Sequence, residues 1–179
     1  MPYMVWESLL NSPQPTAAGT PLANSVSLTD ISVAPPFVLP ANFLQPGSAL
    51  QFTAFGVFST TATPTLLLGV YYGGVAGTAL ATTGAITTGS AVTNVPWRLE
   101  LTATVRTVGA TGTAMSQGQY QMGTSVSAWN SLPFPNTALA TVSIDTTAAK
   151  ALTIGAQWSA ANASNTITCH GFLVESLGA

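Results

Sequence analysis

Between Trp97 and Thr107 every second residue is apolar. Trp97, Leu99, Leu101, Ala103 and Val105 fall on one face of an extended chain, and Arg98, Glu100, Thr102, Thr104 and Arg106 on the other. Helical side chains repeat every 3.6 residues and strand side chains every two, so this run is a half-buried strand. Strands of that kind belong to antiparallel sheets with one face on a core and one in water. Arg98 and Glu100 are two residues apart and therefore neighbours on the wet face.

The same period recurs along the chain. Val26–Val33 is one candidate strand. In Leu50–Phe58, Leu50, Phe52, Ala54 and Phe58 alternate around Gly56. Thr65–Tyr72 is a continuous apolar run ended by Gly73-Gly74, which fits a strand covered on both faces. Ala85–Thr93 is weaker. Ala114–Met122 places Gln117, Gln119 and Gln121 together. Leu139–Ile144 is short, Ala151–Trp158 aligns Leu152, Ile154, Ala156 and Trp158, and Thr166–Leu177 closes the chain. Turn chemistry separates these runs at Gln45-Pro46-Gly47-Ser48, Ala62-Thr63-Pro64, Gly109–Gly112, Pro133-Phe134-Pro135-Asn136 and Ser164-Asn165. About nine strands with regular turns predict an all-β sandwich or barrel over residues 24–179. No helical period is sustained there, and no fixed-length repeat is visible.

Residues 1–23 read as an extended N-terminal arm. Tyr3, Val5, Trp6, Leu9 and Leu10 are apolar, and Asn11–Pro21 is rich in Pro, Thr and Ala. Such a segment cannot fold alone. Its apolar start is expected to dock on its own domain or on a neighbour, which makes those five residues the candidate contacts with a subunit or another protein.

Charge is scarce. Three Lys or Arg and five Asp or Glu make up 4% of the 179 residues, against about 25% in an ordinary soluble domain. Nucleic-acid binding needs clustered cations, and Arg98, Arg106 and Lys150 are too few and too far apart. A mean hydropathy of +0.42 raises the membrane question. No run approaches the ~20 apolar residues of a spanning helix, because Pro35, Pro36, Pro40, Pro46 and Pro64 break the charge-free stretch. The expectation is no nucleic-acid partner, no membrane and no secretory leader. The 27 Ala, 27 Thr, 16 Gly and 16 Ser supply the surface instead. Hydroxyls and amides cost far less than ions to cover with protein, so this surface suits an obligate homo-oligomer or a lattice component.

Catalytic and metal chemistry find no pattern. His170 follows Cys169, and adjacent strand residues point to opposite faces, so they are poorly placed to serve each other as base and nucleophile. Cys169 is expected to pack as a small hydrophobe and His170 to sit at the surface or a subunit contact. One His, one Cys and five scattered acids show no metal-ligand spacing, and Gly73–Thr78 lacks the lysine of a phosphate loop. Asp145-Thr146-Thr147 reads as turn chemistry. No enzyme activity, metal or cofactor is expected. Among the tryptophans, Trp97 and Trp158 lie on apolar strand faces and belong to the core. Trp129, ahead of the proline-rich 133–136 segment, is the candidate exposed aromatic for a glycan contact.

Several segments, in order, resemble a family of small virion structural proteins of tailed bacteriophages, the actinobacteriophage type. They are Leu44-Gln45-Pro46-Gly47-Ser48, Gly56-Val57-Phe58-Ser59, Pro64–Gly69, Trp97-Arg98-Leu99-Glu100, Val105–Gly112, Ala156–Ala161, Asn165-Thr166-Ile167-Thr168 and Glu175. The resemblance spans roughly residues 24–177. It implies a jelly-roll-like β-sandwich, trimeric, on the outside of the particle, and brings no catalytic residues. The expectation drawn from it is a capsid decoration (cement) protein. It would act as a homotrimer that binds the major capsid protein on the outer capsid surface and stabilises the shell through many weak contacts. The alternative is a tail-associated or receptor-binding module that recognises host cell-wall glycan through loops such as 127–136.

Overall fold

The computed structural model describes residues 7–10, 16–33 and 36–177. Fourteen strands occur among them: β1 (Glu7–Leu9), β2 (Leu22–Ala23), β3 (Thr29–Asp30), β4 (Phe37–Leu39), β5 (Ala49–Thr60), β6 (Thr65–Tyr72), β7 (Thr78–Thr82), β8 (Ile86–Thr87), β9 (Val92–Thr107), β10 (Gly112–Ser125), β11 (Ala128–Phe134), β12 (Thr141–Ile144), β13 (Lys150–Trp158) and β14 (Thr166–Leu177). All pair antiparallel, in two sheets. The larger runs β1-β14-β5-β9-β10-β11, with β2 beside β1 on the edge of β14 and β12 beside β11 on the edge of β10. The smaller runs β3-β13-β6-β7, with β4 and β8 completing its two edges.

The chain alternates between these sheets in a definite way. β2, β5, β9 and β14 lie in the larger sheet; β3/β4, β6, β7/β8 and β13 lie in the smaller. The orders β2-β14-β5-β9 and β3/β4-β13-β6-β7 are those of two Greek keys wrapped into a jelly roll. The β10–β12 segment is added between β9 and β13, and widens the larger sheet beyond the sandwich. The fold is therefore the all-β antiparallel sandwich expected from the alternation.

The core sits between the two inner faces. On β9 the residues Trp97, Leu99, Leu101, Ala103 and Val105 are all buried while Arg98, Thr102 and Arg106 are exposed. Phe52 and Phe172 stack with centroids 6.3 Å apart, against Leu68, Val70, Ile154 and Trp158 from the smaller sheet. The boundaries expected for Thr65–Tyr72 and Thr166–Leu177 coincide with β6 and β14. The turn at Gln45–Ser48 closes through Ser48 N–H to the Gln45 carbonyl at 3.1 Å, with Gly47 at φ +90°, a left-handed angle that favours glycine.

Three expectations need correction. Strands number fourteen among the described residues, against about nine, because the sheet edges are built from pieces of two to five residues too short to show a period. Val26–Val33 is not a full strand; only Thr29–Asp30 pairs, with Gly155 and Ala156. The 127–136 segment is not a loop: Ala128–Phe134 is β11, in register with β10 from Gly118 to Ser125. Its prolines are tolerated because β11 is an edge strand, and an edge strand leaves half its N–H groups outside the ladder.

Within the segment read as an arm, β1 and β2 both pair with β14. Leu10 N–H donates to the Val174 carbonyl at 2.7 Å and its side chain packs on the core. Leu9 is exposed. Tyr3, Val5 and Trp6 lie outside the described residues.

Candidate functional site

The outer face of the larger sheet is broad, and among the described residues its outward positions on β5, β9, β10 and β14 are mostly Thr, Ser and Gln, with Arg98, Glu100, Arg106 and Glu175 as the charged groups. Its side chains follow from register. Arg98 on β9 stands opposite Phe55 on β5 and Gln121 on β10, and Gln121 stands opposite Ser131 on β11. Two residues along each strand, the next outward row holds Thr53, Glu100, Gln119 and Pro133. Paired positions in a sheet share a face, so four distant segments meet in two adjoining rows.

Trp129 belongs to this face. Along β11 the side chains alternate from buried Phe134 through Pro133, Leu132, Ser131 and Asn130, which puts Trp129 with Ser131 and Pro133 on the outer side. It is 51% exposed. Because it sits on a hydrogen-bonded strand, opposite Gly123, its backbone is held by the sheet. The neighbouring polar groups are ordered too: Gln119 Nε2 donates to Ser131 Oγ at 2.5 Å. The Arg98 guanidinium pairs with the Glu100 carboxylate, as their two-residue spacing on one face implies.

Phe55 is the residue that sequence reading passed over. It is out of phase with Phe52, Ala54 and Phe58, and so turns outward, 44% exposed. Opposite it is Gly171. A Cβ built on Gly171 would lie 2.4 Å from Phe55 Cε1 and 2.5 Å from Cζ, so the ring lies flat across the glycine, with its other side toward solvent. Aromatic cover of a strand glycine is a known sheet device. The off-phase position of Phe55 was the available signal.

The remaining candidates fall elsewhere. Trp97 and Trp158 are buried in the core. Cys169 is fully buried, and burial pushes its thiol up to about 12; His170 is exposed at a bulge between Cys169 and Gly171. Asp145 accepts from Thr147 N–H and Oγ at 3.0 and 2.6 Å and pairs with Lys150 at 3.2 Å, a turn-closing role. The Thr147 bonds, then Lys150, hold its carboxyl below the usual range. No group of three or more His, Cys, Asp or Glu among the described residues is placed to hold a metal.

No family model matches the chain, and no curated protein matches it. Among solved structures, the CBM2 module of the evolved Dit of Lactobacillus casei BL23 phage J-1 aligns at 10% identity and a TM-score of 0.38, over 94% of this chain and 81% of the other.

Proposed function

We propose that the chain is a non-enzymatic, tail-associated recognition module of a phage virion whose outer sheet face binds host cell-wall glycan. The observation that carries the binding part is Trp129, half-exposed on a hydrogen-bonded strand and two residues from Ser131, which stands opposite Gln121 and is hydrogen-bonded by Gln119. A pyranose presents apolar C–H faces and a fringe of hydroxyls. An indole face matches the first through a large, rigid contact area, and amides and hydroxyls, which donate and accept, match the second. The virion setting is supported by the ordered segments that resemble tailed-phage virion proteins.

The test is binding of the purified chain to a glycan array and to host cell walls. Saturable binding that Trp129→Ala abolishes, without change in thermal unfolding, supports the reading. Binding unaffected by that substitution refutes it.

A second reading is the trimeric decoration protein seated on the major capsid protein. One observation favours it: beyond Arg98, Glu100, Arg106 and Glu175, the outward positions of β5, β9, β10 and β14 carry no charge, which suits burial against other proteins. Copy number per particle separates the two, since hundreds fit a capsid site and a few fit a tail.

A further inference from the structure

We propose that Phe55 is a second stacking platform on the Trp129 face, and that the ligand is an uncharged, extended hexose polymer lying across β11, β10, β9 and β5. This rests on the glycan reading above and adds the class of polymer, its direction and its minimum length.

The two rings share a face but belong to strands three steps apart. Strands lie about 4.8 Å apart and residues about 3.4 Å along a strand, so the steps and a two-residue offset separate them by about 16 Å. The spacing between strands is close to the advance per unit of an extended β-1,4-linked hexose chain. A polymer crossing the strands therefore sets one unit over each, with Trp129 under the first and Phe55 under the fourth. Gln121 and Arg98 lie between them in register, placed to hydrogen-bond the intervening hydroxyls. Phe55 fits the stacking role because Gly171 lets its ring lie flat.

Charge selects the polymer. Arg98 is already neutralised by Glu100 and Lys150 by Asp145, while Arg106 donates to Met115 Sδ at 3.8 Å. A polyanion would find no cluster of cations to displace its counterions, whereas a neutral chain loses nothing.

The experiment is calorimetric titration of the full chain with β-1,4-linked glucose, mannose and N-acetylglucosamine oligomers of two to six units, and with oligogalacturonate as the anionic comparator. Stacking on one aromatic residue corresponds to about tenfold or more in affinity. The expected result is an affinity that rises about tenfold between two and four units of a neutral ladder and then levels. Phe55→Leu, which keeps an apolar cover on Gly171 without a ring, should remove that rise and leave two-unit binding intact. Phe55→Trp should restore it. Gly171→Ala, whose Cβ lifts the ring, should act as Phe55→Leu does. A ladder unchanged by Phe55→Leu, or tighter binding of oligogalacturonate, overturns the proposal while the glycan reading stands. Binding of no neutral oligomer by the unmodified chain overturns the proposal, and failure to bind host cell walls or any arrayed glycan overturns the glycan reading as well.

Discussion

Gly56 and Gly171 are both strand glycines in the larger sheet, yet the same substitution should be severe at the first and nearly neutral at the second. A Cβ on Gly56 would stand 1.9 Å from the Thr168 carbonyl oxygen and 3.0 Å from Trp97 Cε2, where ordinary contact begins at 3.4 Å. Relief requires roughly 1.5 Å of movement against the β14 backbone, in strands held about 4.8 Å apart. One or two ladder bonds would open at a buried position, costing about 1–3 kcal/mol each when left unsatisfied. Displacing the Trp97 ring within a packed core adds about 1–3 kcal/mol. Gly56→Ala should therefore lose about 2–9 kcal/mol, a large part of the 5–15 kcal/mol that holds an ordinary domain together. At Gly171 the obstacle is the tip of the half-exposed Phe55 ring, which can swing into solvent, so Gly171→Ala should change stability by less than about 1 kcal/mol. Equilibrium urea unfolding, followed by tryptophan fluorescence and far-UV circular dichroism, reads both midpoints at constant slope. A Gly56→Ala loss below about 1 kcal/mol, or one no larger than that of Gly171→Ala, refutes the reasoning.

Other outcomes follow from the same geometry. Folded Cys169 and Tyr72 hold their protons up to about 12, from ordinary values of 9.0 and 10.0, mainly because burial disfavours the charged forms. The native state therefore binds more protons than the unfolded one above pH 9, and stability should fall as pH rises from about 9 toward 12; urea midpoints across that range check the sign. For the same reason a thiol reagent at pH 8 should leave Cys169 unmodified in the native chain and react at once in denaturant. Ile154→Ala, at a fully buried site facing the larger sheet, should cost about 2–5 kcal/mol in the same unfolding assay. Glu100→Gln breaks an ion pair whose side chains are 52% and 47% exposed, so it should shift stability by no more than about 1 kcal/mol, and less in high salt.

How far the sequence reaches can be judged strand by strand. Thr65–Tyr72 and Thr166–Leu177 were legible to the residue, because long runs with both or alternate faces buried carry the burial pattern in their composition. The inward Trp97 and Trp158 and the Arg98–Glu100 pair were legible from the two-residue period. β11 was hidden: its first four residues are all exposed whichever way they point, so no apolar alternation is required of it. β2, β3 and β8, two residues each, have no period at all. Trp129 could be picked out as an exposed aromatic, but its place on a strand rather than a loop could not.

Local periodicity thus determined that this chain is all-β with half-buried strands and which residues of the long strands face its core, and composition that charge is scarce. Those properties depend on neighbours one or two residues away. The row Phe55–Arg98–Gln121–Ser131 was decided only by tertiary structure, because it joins four segments separated by tens of residues through strand order and register. Pairing of that kind is set by which apolar faces can be buried together in three dimensions, and no stretch of the sequence read along its length contains it.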